Sequence, residues 1–129
     1  MESDILVVDD SAAIRKILQR VLRQTGMAIR TIYEAGDGQE ALDLLKTLKV
    51  DLVLLDINMP KMDGLQLLAC MKTSAEWRDI PVVMITTEGG EATVSEAVKL
   101  GAAGYVRKPC TADQIKEKLA GFLEPALPL

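Results

Sequence analysis

Residues 51–64, DLVLLDINMPKMDG, decide how the rest of the chain is read. Val53, Leu54 and Leu55 are apolar without alternation, the pattern of a short strand covered on both faces, and Met59-Pro60 and Asp63-Gly64 punctuate the segment after the strand. Asp56 therefore falls at the carboxyl end of a buried strand, the edge at which open α/β sheets bind ligands. A mere helix cap is the competing role for Asp56. Pro60 intervenes, however, and Asp63, three residues before Gln66, is the better N-cap.

Outward from this stretch the chain alternates two kinds of segment. Residues 4–9, DILVVD, form a second apolar run that ends in acids, here the adjacent pair Asp9 and Asp10. Ile14, Ile17, Leu18, Val21 and Leu22 then recur at helical spacing, and Gly26 sits where a helix stops. Residues 29–34 alternate as a strand, Gly36-Asp37-Gly38 turns the chain, and Ala41, Leu42, Leu45 and Leu48 stripe a second helix. Beyond Gly64, a third helix is marked by Leu65, Leu68 and Met71, and residues 73–79 form a loop holding Trp77. Residues 80–86, IPVVMIT, make a fourth strand with Pro81 at its start, where a missing N–H is tolerated. Gly89-Gly90 opens a fourth helix, striped by Val94, Ala97 and Val98 and ending near Gly101. Residues 103–107 are a fifth strand, and Ile115, Leu119, Phe122 and Leu123 face a fifth helix inward. The closing EPALPL reads as a frayed tail or the start of a linker. Five strands alternating with five helices imply a doubly wound α/β fold, a five-stranded parallel sheet with helices on both faces.

The 129 residues fit a single domain spanning 1–129. With 49% hydrophobic and 26% charged residues and no apolar run near the ~20 residues of a membrane span, no membrane role is expected. The N-terminal MESDILVV lacks the basic region of a signal peptide, so the expected location is cytoplasmic. Cys70 and Cys110 match no metal or disulfide spacing and read as free thiols. A net charge of -4 argues against direct nucleic-acid binding, since phosphate backbones are held by Lys and Arg clusters. The chain has no histidine. A Ser-His or Cys-His nucleophile pair is therefore absent, and any phosphohistidine chemistry needs a histidine on another protein.

In a parallel sheet every strand-to-helix junction falls on one edge, so Asp9, Asp10, Asp56, Thr86 and Lys108 should converge. Three carboxylates there repel, at ~3 to 4 kcal/mol per pair for ~4 to 5 Å and an effective dielectric near 20. Oxygen-only ligands without histidine or paired cysteine favour a hard cation, and Mg²⁺ tolerates one or two carboxylates plus waters. Asp10→Asn should then relieve strain in the metal-free chain. Adding the lysine and the threonine hydroxyl makes a place for a phosphoryl group, whose oxygens each need a positive or hydrogen-bonding partner.

Four separated motifs, DILVVDDS, LVLLDINMPKMDGLQLL, VVMITTE and GAAGYVRKPCTADQIKEKL, together resemble the receiver domain of bacterial response regulators, of the single-domain chemotaxis (CheY-like) type. The resemblance spans essentially the whole chain and implies the flavodoxin-like strand order 2-1-3-4-5. It implies that Asp56 is the phosphoacceptor, charged by a sensor histidine kinase or a histidine phosphotransfer protein. Asp10, Asp56 and the backbone carbonyl of Asn58 would ligate Mg²⁺ directly, with Asp9 acting through a water. Lys108 would pair with the phosphoryl oxygens, Thr86 would swing toward them, and Tyr105 would rotate inward to report the event. The report would go to a downstream target protein on the face of the fourth helix, fifth strand and fifth helix, the chain being a monomer or a phosphorylation-dependent dimer. Asn58 and Glu88, two residues beyond Asp56 and Thr86, would tune hydrolysis of the acyl phosphate, so the only catalysis expected assists the chain's own phosphotransfer and autodephosphorylation. Cys110 departs from the bulkier apolar residue common after the Lys-Pro pair, and the Lys108-Pro109 bond resembles one that is cis in the family.

Three other readings compete. An Mg²⁺-dependent aspartyl phosphohydrolase of the haloacid dehalogenase type needs a second Asp where Asn58 stands. A flavodoxin-like carrier shares the fold, but fold does not fix function, and DDSAAI offers carboxylates where FMN phosphate needs hydroxyls. A receiver cut from a longer regulator with a C-terminal output domain remains compatible with the sequence.

Overall fold

The computed structural model describes residues 2–59, 62–87, 90–108 and 110–123. Their order is β1 (Ser3–Val8), α1 (Ala12–Gln24), β2 (Ile29–Ala35), α2 (Gly38–Thr47), β3 (Leu52–Leu55), α3 (Gly64–Lys72), β4 (Val82–Thr86), α4 (Glu91–Lys99), β5 (Gly104–Arg107) and α5 (Ala112–Leu119). The strands pair in parallel in the order β2-β1-β3-β4-β5.

The unbroken apolar runs are explained by what lies on each side of the sheet. Successive strand residues point to opposite faces. Leu6, Val8, Val53, Leu55, Val82 and Met84 pack with Leu42, Leu45, Leu67, Leu68, Met71 and Ala97 from α2, α3 and α4. Ile5, Val7, Leu52, Leu54, Val83, Ile85 and Val106 pack with Leu18, Leu22, Ile115 and Leu119 from α1 and α5. Both faces of β1, β3 and β4 are thus covered, and residues 5–8, 52–55 and 82–85 are all apolar.

Four helix starts are fixed by side chains that replace missing intrahelical acceptors, that of α5 by a reciprocal box between Thr111 and Gln114. Ser11 caps α1 through Ile14 N–H, and Asp37 caps α2 through Glu40 N–H. Asp63 and Gln66 form the reciprocal box that starts α3. Gly26, at φ 75°, follows the C-cap of α1 in the left-handed region.

Several apolar positions differ from their expected placement. Ile17 is 51% exposed, Val98 62% and Phe122 37%, although each extends a stripe read as inward. The α1 stripe is wider than the surface facing it, so Leu18 and Leu22 are buried while Ile17 lies on the flank. In α4 the buried residue is Ala97, whose small side chain lets the helix lie close. Phe122 lies beyond the last residue of α5, where helical spacing no longer sets direction, while Leu123 does turn inward. Leu48 is the C-cap of α2 rather than part of it, and Leu67, outside the expected stripe, is fully buried on α3. Trp77 sits in the turns after α3, half-buried against the α2–α3 core. Cys70 and Cys110 are free thiols. Residues 124–129, Pro60, Glu88, Gly89 and Pro109 lie outside the described residues, and with them the reading of the tail, of the Lys108-Pro109 bond and of Glu88. No helix among the described residues is long and apolar enough to cross a membrane.

Candidate functional site

Register explains why the acids meet. Val8 pairs with Leu55 on adjacent strands, so the next residues, Asp9 and Asp56, leave the sheet side by side, and Asp56 N–H donates to Val8 O at 2.9 Å. Asp9, Asp10 and Asp56 each offer a carboxylate oxygen within 4.8 Å of the others. Asp9 and Asp56 are buried, while Asp10 is exposed. On the other side, Thr86 ends β4 opposite Arg107 of β5, and Lys108 N–H bonds Thr86 O at 2.9 Å. That brings the Lys108 ammonium to 2.5 Å from Asp9 Oδ2 and 3.6 Å from Asp56 Oδ2.

The expectation of three uncompensated carboxylates is corrected by this lysine. Asp9, read from the resemblance chiefly as a water-mediated ligand, is here the acid that holds Lys108, and its Oδ1 also accepts from Ser11 N–H at 2.9 Å. The electrostatic penalty falls on Asp56. Burial pushes its carboxyl above the ordinary value, Lys108 pulls it down, Asp9 pushes it up, and hydrogen bonds from the Thr86 hydroxyl and the Ile57 amide offset only part of the rise.

The loop after Asp56 is held by a close backbone approach. Gly64 N–H donates to Ile57 O at 2.8 Å, and a Cβ on Gly64 would overlap the Asp56 carbonyl oxygen and lie 2.8 Å from Ile57 Cα. Only glycine lets α3 begin this near the strand end. Asn58 is exposed two residues beyond Asp56. Tyr105 is half-buried on β5 against the α2–α4 side of the core, with its hydroxyl enclosed.

The acid edge opens into a cleft of about 440 Å³, lined by Ile14, Ile17, Leu18 and Val21 of α1 and by Cys110. Its rim carries Asp10, Asp56, Thr87 and Lys108. Burial also raises the Cys110 thiol pKa, against a smaller downward pull from Lys108. Of the expected site residues, Asp9, Asp10, Asp56, Thr86 and Lys108 converge, Asn58 lies on the adjoining loop, and Tyr105 lies further back along β5, opposite Met84. Contacts not foreseen are those of Ser11, Thr87 and Arg15, whose Nη1 donates to Asp9 O at 2.6 Å. An arginine one turn into a helix carries no sequence mark of such a contact.

The donor set fits a hard divalent ion: all three side chains are carboxylates, and Asp10 faces solvent, where water can complete the shell. The doubly wound sheet gathers acids and a lysine at its carboxyl edge, and the chain belongs to the response regulator receiver domain family, whose model matches residues 5–120. It is similar to a chemotaxis protein CheY homolog of Campylobacter jejuni, 42% identical over 120 residues that cover 92% of this chain and 91% of that protein. Chemotaxis protein CheY-3 of Vibrio cholerae is 41% identical, over 93% of this chain and 91% of its own. Among solved structures, CheY4 of Vibrio cholerae superposes with a TM-score of 0.85 at 28% identity, covering 95% of this chain and 100% of that one. The bacteriophytochrome response regulator AtBRR gives 0.86 at 30% identity, covering 100% and 99%. The chain is thus a CheY-like receiver domain of two-component signalling, a signalling protein and not a classical enzyme.

Proposed function

We propose that the chain, as a single receiver domain over residues 1–129, is a phosphorylation-dependent switch whose acceptor is Asp56. The observation that carries this reading is the gathering of Asp9, Asp10 and Asp56 within 4.8 Å, with the Lys108 ammonium 3.6 Å from Asp56 Oδ2. An Asp56 oxygen attacks the phosphorus of a phosphohistidine on a partner kinase or phosphotransfer protein. The P–N bond breaks, and its electron pair leaves with the imidazole. Mg²⁺, when held by Asp10, Asp56 and the Asn58 carbonyl, with Asp9 acting through a water, supplies charge neutralisation for the transferred group. Lys108 and the Thr86 hydroxyl bind phosphoryl oxygens, Asn58 and Glu88 tune the return hydrolysis, and Tyr105 relays the change to a protein target on the face of α4, β5 and α5. The location is cytoplasmic, and the active form is a monomer or a phosphorylation-dependent dimer.

Asn58 argues against turnover of free phosphate esters, because it cannot act as the acid and base that such an enzyme needs there. The same switch could equally be the receiver of a longer regulator. Incubation with acetyl phosphate and Mg²⁺ should label the wild type at one site, chelation of the metal should suppress labelling, and Asp56→Asn should abolish it. Labelling of the variant at the wild-type level would move the acceptor elsewhere.

A further inference from the structure

We infer that Arg15 is a positioning residue for the acid cluster: its guanidinium fixes the peptide between Asp9 and Asp10 and so aims both carboxylates at a shared divalent cation. This rests on the reading of the cluster as a metal site. Arg15 touches none of the proposed ligand oxygens. Its side chain runs back over the first turn of α1, the direction long helical side chains take, and reaches the loop that carries the acids. There Nη1 donates to Asp9 O at 2.6 Å, while Nε donates to Glu34 Oε1 on β2 at 3.0 Å. The side chain is 17% exposed. One planar fork thereby ties α1, β2 and the β1–α1 loop together.

The bonded carbonyl belongs to the peptide linking the two acids, and among the described residues it is Arg15 that supplies its hydrogen bond. The remaining anchors of Asp9 lie elsewhere: its N–H on Ala35 O at 3.1 Å, Oδ1 on Ser11 N–H and Oδ2 on Lys108. Without Arg15 the Asp9 main chain is held on its amide side only. Rotation about the Asp9 Cα–C bond would then displace the Asp10 Cα and with it the exposed carboxylate, which has no comparable tether among the described residues. Arg15 acts through the two directed hydrogen bonds of its guanidinium, to Asp9 O and to Glu34 Oε1. Lysine cannot reproduce them, because one ammonium does not reach two acceptors in the fixed directions of a guanidinium.

Calorimetric titration of Mg²⁺ into the whole chain tests this. Arg15→Ala should bind magnesium ~10-fold or more weakly, the usual scale for losing a group that orients metal ligands. Glu34→Gln, whose amide oxygen still accepts from Nε, should stay within about twofold. A purely structural arginine would lower the melting temperature and leave the affinity of the folded protein unchanged, so an Arg15→Ala affinity within about twofold of wild type overturns the proposal. Should that variant fail to fold, Arg15→Lys replaces it: at least ~3-fold weaker binding supports the role and wild-type affinity refutes it. A wild type that takes up no magnesium would instead sink the metal-site reading itself.

Discussion

Two aspartates at opposite ends of the sheet titrate in opposite senses, and each supports a prediction. At Asp56 the fold raises the carboxyl pKa, burial being the largest cause, so ionisation costs stability above the folded value and the cost disappears as pH falls and the proton is taken up. Asp56→Asn should raise the metal-free melting temperature, by ~3 °C or more for a domain of this size, because Lys108 keeps its 2.5 Å bond to Asp9. The gain should shrink in acid and, on the proposed metal site, also with added magnesium, which should stabilise the wild type more than the variant. A lower metal-free melting temperature would contradict the argument. The strain foreseen at Asp10 is thus transferred to Asp56, since Asp10 faces solvent. At Asp4 the hydrogen bond from Arg30, at 2.6 Å from Oδ2, is the main reason its carboxyl lies below the ordinary 3.8. Stability from that pair is present above 3.8 and is lost as pH falls through the lower folded value. Asp4→Asn should therefore have a lower urea midpoint at pH 7, with the difference closing as pH falls below 3.8 and through the lower folded value. A gap that persists in acid would assign the loss to something other than charge.

The elements were largely readable because their causes are local. The runs Val53–Leu55 and Ile5–Val8 are fully or almost fully buried as their lack of alternation implied, and Asp63 with Gln66 forms the box that their spacing suggested. Legibility failed where tertiary contacts decide. Which member of a stripe faces the core depends on the neighbouring surface, so Ile17 and Val98 misled, and Arg15 resembled any solvated helix residue until β2 and the Asp9 loop were seen beside it. Two glycines separate the two reasons for choosing that residue. Gly64→Ala forces a methyl into the Asp56 backbone and should cost ~3 kcal/mol or prevent folding. Gly26→Ala meets no atom within 4 Å and pays only for its φ of 75°, so ~1 kcal/mol is expected. Equal losses in urea unfolding of the two variants would mean that close approach at Gly64 is not what α3 requires.

At the scale of the molecule, acids and lysine occupy one edge of the sheet, and β4 and β5 run from that edge beneath α4. A change in the partners of Lys108 or Thr86 has short paths into β5, since Lys108 follows Arg107 directly and Thr86 is paired with it. Beryllofluoride with magnesium should accordingly slow amide exchange across residues 86–108 and leave β2 little altered. Protection confined to residues 9–11 and 56–58 would indicate a site that binds without signalling. The lone indole carries a practical corollary. Trp77 lies in the loop leading into the start of β4, at the end of the sheet away from the carboxylates, where it lines a groove with Ile80 and Leu45. Its fluorescence should follow the cooperative loss of the whole structure on heating yet stay dark to ion uptake and phosphoryl transfer, so the protein comes with a built-in gauge of folding but needs an added dye to watch it work.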